Sequence, residues 1–308
     1  MMQRRQILGN FLFFIRLKIP EVGVYNPGVY TCGGSLITRN AVLTAAHCYF
    51  ANHTKEQIYR LIETGALVAY GGAMLHYNNS SPNQAGEHQF SPVIGVEKHY
   101  KYPNNTKYDI ALVFLKKKLY IDYALQTVLL PPSVDFSVQS LICEKAAIVG
   151  VGATFPGDSP SLPVRYVNDV FVKRPIYRNI PTVVLNHSQS KLPLHGDSGG
   201  PVICYKQNKR RRIVPVQYGV ISGARPDAGV EAVLVELIIH FLKNSNYESF
   251  TGDIRFYKPP YWRVKKKDNN QFSDNTIQKV SGSFNAKTTL FITFIFEMIL
   301  IVLTQANQ

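Results

Sequence analysis

From Cys32 to Ser222 the sequence is interrupted every few residues. Short apolar or alternating runs, among them Ala41 to Ala46, Ile110 to Leu115, Ala146 to Val151 and Val216 to Ile221, are separated by Gly, Pro and Asn. Runs of this length suit strands, which need about five residues, and not helices, which need about ten or more. The pattern predicts an all-β body of many strands. Upstream, the apolar run from Ile7 to Ile15 behind Arg4-Arg5 has the outline of a secretory signal core, but no small-residue cleavage site follows it. Phe13 to Ile19 fits a strand better, because Pro20 stops it and a loop rich in Gly and Pro leads on to Thr31. Only one segment of the body has helical spacing. Val233, Leu234, Leu237, Ile238 and Phe241 recur at intervals of three and four between Glu231 and Lys243, which predicts a terminal helix packed on the body.

A chain of 308 residues accommodates one such domain with tails. With 45% hydrophobic and 18% charged residues it is neither disordered overall nor a multi-span membrane protein. The net charge of +14 suits acidic partners such as glycans, anionic lipid headgroups or nucleic acid. Dense runs such as Lys209-Arg210-Arg211-Arg212 and Lys265-Lys266-Lys267 contribute to it. No recognition-helix, RNP-type or zinc-finger pattern accompanies them, so no nucleic-acid role is expected.

After about Thr251 the composition shifts, with eight Lys/Arg against three acids up to Thr288. The expected organisation is therefore an N-terminal segment 1–10, a globular domain 11–250, an exposed basic extension 251–288 and a hydrophobic tail 289–308. Within the tail, the apolar run Leu290 to Leu303 contains Glu297 and reaches only about 21 Å as a helix, against about 30 Å of hydrocarbon. Three readings stay open: a glycolipid-anchor signal following Ser281-Gly282-Ser283, a marginal span, or an uncleaved tail.

Three local patterns carry chemistry, in chain order: Leu43-Thr44-Ala45-Ala46-His47-Cys48, Asp109-Ile110-Ala111-Leu112, and Gly196-Asp197-Ser198-Gly199-Gly200-Pro201. Serine is too weak an acid to attack an amide unaided, so a base such as histidine must take its proton, and a carboxylate can orient that base. Each pattern resembles the corresponding signature of the trypsin/chymotrypsin-like serine protease family, over about Phe13 to Asn244. The resemblance implies two packed six-stranded antiparallel β-barrels with a C-terminal helix, and a catalytic triad of His47, Asp109 and Ser198. It also implies an oxyanion hole from the backbone N–H groups of Gly196 and Ser198, and a role for Asp197 as acceptor of the α-amino group that zymogen cleavage releases.

The chain has four cysteines, Cys32, Cys48, Cys143 and Cys204, which allow three pairings. By resemblance the bridges are Cys32–Cys48, around the histidine, and Cys143–Cys204. Sequons at Asn52, Asn78, Asn79, Asn104 and Asn186 point the same way, to an oxidising, glycosylating route and an extracellular destination, with or without tethering through the tail. His76, His88, His99 and His195 show no metal-ligand spacing, so neither a metal nor any other cofactor is expected.

In family members the residue six before the catalytic serine forms the base of the primary pocket; here it is Leu192. Ser222, Gly223, Ala224 and Gly229 would complete that pocket. Its apolar base offers no partner to a buried cation, so apolar or aromatic side chains are the expected preference, or only small ones if Leu192 fills the pocket. The resulting expectation is a secreted serine endopeptidase made as a zymogen, acting on protein or peptide substrates and open to protein protease inhibitors. The alternative is a non-catalytic, protease-like binding module.

Overall fold

A computed structural model describes residues 11–21, 28–72, 89–131, 143, 145–153, 164–173, 182–186, 196–225, 229–235, 241–242 and 254–257. The chain divides into two units, Met1–Trp262 and Arg263–Gln308, the second lying outside the described residues. The expected tail and most of the expected basic extension fall there.

Two closed barrels make up the first unit. The first joins β1 (Phe14–Pro20), β2 (Val29–Thr38), β3 (Ala41–Thr44), β4 (Val68–Gly71), β5 (Gln89–Lys98) and β6 (Ala111–Leu115) in the order β1-β2-β3-β6-β5-β4. The second joins β7 (Lys145–Gly150), β8 (Arg165–Lys173), β9 (Thr182–Asn186), β10 (Pro201–Gln207), β11 (Ile213–Arg225) and β12 (Gly229–Leu234) in the order β10-β11-β12-β9-β8-β7. Read from its first strand, the second barrel repeats the first: three consecutive strands, then the other three in reverse. Every ladder in both is antiparallel. Closure removes free sheet edges. It also explains the expected all-β pattern of twin six-stranded barrels.

Why the second barrel's strands are apolar without alternation follows from where their two faces go. Ala146, Ile148, Val202, Cys204, Ala232 and Leu234 belong to one core cluster, whereas Ala147, Val149, Ile203 and Val233 belong to the cluster that also holds the first barrel's Phe14, Leu36 and Leu43. Neighbouring residues on one strand thus enter different cores, the barrel's own interior and the core shared with its partner barrel. A linker joins the two: Gln126 N–H donates to Leu12 O, Val128 N–H to Leu36 O, and Gln217 N–H of β11 to Leu129 O.

This two-faced burial corrects the expected helix at its start. Glu231 to Leu234 is the end of β12, laddered to β11 on one side and β9 on the other. Apolar residues on both faces of a strand reproduce helical spacing by coincidence. Phe241 and Leu242 are helical and buried, so the terminal helix lies downstream of Val235. Residues 254–257, inside the expected basic extension, are bonded to the body. Leu130 N–H donates to Arg255 O, Tyr257 N–H to Leu130 O, and the buried Tyr257 hydroxyl to Gln207 O at 2.6 Å. Two aromatic residues, Phe256 and Tyr257, pull residues 254–257 onto the body.

Two helices lie between β3 and β4: the single turn α1 (His47–Phe50) and α2 (Lys55–Glu63). The second is one that reading the body as having a single helical segment overlooks. Its signal was present: Thr54 and Gln57 form a capping box, in which Gln57 N–H donates to Thr54 Oγ1 at 3.3 Å and Thr54 N–H to Gln57 Oε1 at 2.7 Å. Ile58, Leu61 and Ile62 then face the core. Thr54→Ala should lower stability by about 1 kcal/mol in urea unfolding while Thr54→Ser stays close to wild type; an unchanged Thr54→Ala midpoint would show the cap idle.

Candidate active site

The two barrels touch backbone to backbone. Gly33 N–H on β2 donates to Ser198 O at 2.8 Å, and Thr44 Oγ1 at the end of β3 donates to Gly33 O at 2.8 Å. A Cβ at Gly33 would lie 2.8 Å from the Gly200 Cα, and one at Gly199 would collide with Thr44 Oγ1 and Gly33 O. Backbone cannot yield as a flexible side chain can, so only glycine allows this approach. The turn itself is stitched to β11: Gly199 N–H donates to Ile221 O and Ile221 N–H to Gly200 O. Gly196 and Gly199 have φ of 99° and 78°, in the region that favours glycine.

His47 begins α1, three residues after Thr44. The Cys32–Cys48 disulfide, closing a 16-residue separation, ties that turn to β2. Asp109 precedes β6, the neighbour of β3 in the first barrel. Its carboxylate is 3% exposed and accepts three hydrogen bonds: His47 N–H to Oδ1 at 2.7 Å, His47 Nδ1 to Oδ2 at 2.6 Å, and Ser222 Oγ to Oδ2 at 2.6 Å. A carboxylate is acceptor-only, so the imidazole carries its proton on Nδ1, and Nε2 is the ring atom left to accept one. Nearby, burial and the Asp109 charge push the Tyr102 phenol up to about 12, so it stays neutral.

His47, Asp109 and Ser222 are thus brought together, and Ser198 sits on the turn anchored beside the strands that lead to them. Gly196 and Asp197 flank that turn, and the Asp197 Oδ1 accepts from Gly152 N–H at 2.6 Å. Gly223 follows a bulge in β11, and among the described residues nothing lies within 4 Å of a Cβ built there. Ala224 pairs with Val230 and Arg225 with Gly229 across β11 and β12. Leu192 and His195 lie outside the described residues. The second disulfide, Cys143–Cys204, forms as the resemblance implies. Among the described residues no group of three or more His, Cys, Asp or Glu could hold a metal. Residues that lie outside the three motifs are Gly33, Gly150, Gly152 and Arg165. The Gly33-Gly34 and Gly150-Val151-Gly152 repeats were their only sequence signal.

Twin antiparallel barrels whose junction carries His47, Asp109 and Ser198 define the class as trypsin-like in fold. A sequence model of the Trypsin family matches residues 20–236, and the chain belongs to the trypsin family of serine proteases. It is 28% identical over 222 residues to the chymase of Papio hamadryas, covering 70% of this chain and 78% of that one. To mast cell protease 2 of Ovis aries it is 30% identical over 201 residues, 64% of this chain and 72% of that one. Among solved structures, human heparin binding protein superposes with a TM-score of 0.58 at 18% identity, over 80% of this chain and 96% of that one.

The segment leading into Asp109 is set by His99, which is 4% exposed and stacked between Tyr100 and Tyr108 with Phe241 edge-on. Its N–H donates to Ile110 O, and its Nδ1 accepts from Lys101 N–H. Burial, with a smaller contribution from Lys101, pushes this histidine down from 6.5 to about 4. The unfolded chain therefore binds the proton first as pH falls. The stabilisation is complete above pH 6.5 and drains away between 6.5 and about 4. Urea unfolding across that window should show wild type losing stability more steeply than His99→Gln; parallel curves would show that His99 titrates normally.

Proposed function

We propose that the protein is a serine endopeptidase with His47, Asp109 and Ser198 as its catalytic triad. The observation that carries this reading is the buried Asp109 carboxylate holding His47 by both its backbone N–H and its Nδ1, next to the anchored serine turn. Ser198 Oγ attacks the scissile carbonyl carbon as its proton passes to His47 Nε2. The resulting oxyanion is met by the N–H groups of Gly196 and Ser198, each worth about 3 kcal/mol in such reactions. His47 then gives the proton to the leaving amine, and water, activated by the same base, hydrolyses the acyl-enzyme. Asp109 orients the imidazole and stabilises the imidazolium.

Leu192, Ser222, Gly223, Ala224 and Gly229 form the primary pocket in this reading, with a preference for apolar or aromatic side chains. Protein and peptide substrates and protein protease inhibitors are the partners. The two disulfides support secretion, and exposed sequons at Asn52 and Asn104 support glycosylation. Asp197 receives the α-amino group of a cleaved zymogen, and the tail supplies any surface tether. Among the described residues no helix is long and apolar enough to cross a membrane.

One observation favours a second reading, a non-catalytic binding module. Lys209 to Arg212 form an exposed basic tip between β10 and β11, its backbone fixed by Asn208, whose Oδ1 accepts from Arg210 N–H and Arg212 N–H. Such a tip suits a polyanion of the kind that gives heparin binding protein its name.

A fluorophosphonate probe separates the two readings. Label on Ser198, absent from Ser198→Ala, is expected, with kcat in that variant lowered by on the order of 10⁶ and folding intact. Retained turnover in purified Ser198→Ala, or no label on the processed wild type, refutes the endopeptidase assignment. Leu192→Asp should raise cleavage after Arg or Lys relative to Phe or Leu by about tenfold or more in kcat/KM, because the new carboxylate pairs the buried cation. An unchanged preference in a peptide library would remove Leu192 from the pocket base.

A further inference from the structure

The serine turn is braced from behind by a second carboxylate. Asp197 Oδ1 accepts from Gly152 N–H at 2.6 Å, and a Cβ at either Gly150 or Gly152 would collide with the Asp197 carboxyl group. The end of β7 is therefore glycine on both sides of Val151 so that Asp197 can lie against it. On the far side of the Gly152 α-carbon, Arg165 Nη2 donates to Gly152 O. Arg165 is also directly opposite Gly150 in the β7–β8 ladder. Opposed residues of an antiparallel pair leave the sheet on the same face, with Cβ atoms about 5 Å apart. Arg165 thus emerges on the face where Asp197 fills the vacant side-chain position of Gly150. Guanidinium and carboxylate flank Gly152, the first donating to its carbonyl and the second accepting from its N–H.

We infer that Arg165 is a positioning residue that holds Asp197, and through it the Gly196–Ser198 turn, in working shape in the single uncleaved chain. The inference rests on the endopeptidase reading and adds its regulation. A half-buried carboxylate needs donors and a nearby cation to remain in place, or it turns out to water and takes its backbone with it. The backbone at stake is the pair of N–H groups that would face the oxyanion. An α-amino group liberated by cleavage supplies a cation only afterwards, whereas a strand arginine is present as soon as the chain folds. Arginine stays protonated at any working pH, and its planar fork can serve the Gly152 carbonyl and the carboxylate side together. Cleavage then adjusts activity that the single chain already has.

The test uses the full secreted chain, with intact mass and N-terminal sequencing to establish that it is uncleaved. Uncleaved wild type should be labelled by the fluorophosphonate probe on Ser198. Arg165→Ala should label about tenfold more slowly and lose kcat on a peptide ester with KM little changed, since the turn acts on the developing oxyanion. Arg165→Lys should recover most of the rate, and millimolar guanidinium should accelerate Arg165→Ala but not wild type. Equal labelling of wild type and Arg165→Ala overturns the inference. So does a loss that neither the lysine variant nor guanidinium restores, which would mark a packing role. Wild type that labels only after cleavage overturns it too while leaving the endopeptidase reading standing; wild type that labels in neither form sinks both.

Discussion

The structure turns on a place where two barrels come too close for side chains. At Gly33, Gly199 and Gly200 the seam is backbone against backbone, closed by the Gly33 N–H bond to Ser198 O, while the Thr44 hydroxyl holds Gly33 O from within the first barrel. The first barrel contributes His47 and Asp109 and the second contributes Ser198 and Ser222, so neither holds the site alone. Displacement by one Cβ radius would separate groups whose chemistry depends on contact geometry. The shared apolar core, fed by alternate residues of β7, β10 and β12, supplies the non-directional attraction that presses the seam shut.

Two carboxylates then lock the seam with directional bonds, and they solve the problem of burial differently. Asp109 is surrounded by donors: two from His47 on its own barrel and one from Ser222 on the other, which makes it a tie across the junction as well as an orienting group. Asp197 instead occupies space left by the absent side chains of Gly150 and Gly152, with the Gly152 N–H as donor. Removing one partner from either would leave a poorly compensated charge, which is costlier than the bond itself. Disulfides add covalent ties elsewhere in each barrel, Cys32–Cys48 beside the histidine turn and Cys143–Cys204 between the start of β7 and β10.

Legibility of the fold varied with how many faces a segment buries. β1, β3, β6 and β7 were readable within a residue or two because short apolar runs ended at turn residues. β12 was not, since Ala232 and Leu234 enter one core and Val233 another, and the doubled pattern imitates a helix from Glu231 onward. The helix Lys55–Glu63 was hidden for the opposite reason: only Ile58 is fully buried, so its periodicity is weak and its capping box is the stronger signal. Phe256 and Tyr257 were absorbed into a basic stretch by composition, although their rings carry that piece of chain onto the body.

For the site, the sequence by itself determined the chemical identities: a histidine after an apolar strand, an aspartate before one, a serine in a glycine-rich turn, and four cysteines whose pairing only the resemblance implied. These are local, because the turn and strand preferences that present each group lie within a few residues of it. That Ser222 meets Asp109 from 113 positions away was implied by the family resemblance, and the structure shows the bond. Tertiary structure alone decided that Gly33 opposes Gly200 and that Arg165 reaches Gly152 beside Asp197. Those relations come from ladder register and barrel closure, which set distances between residues far apart in the chain and leave no pattern in any short window.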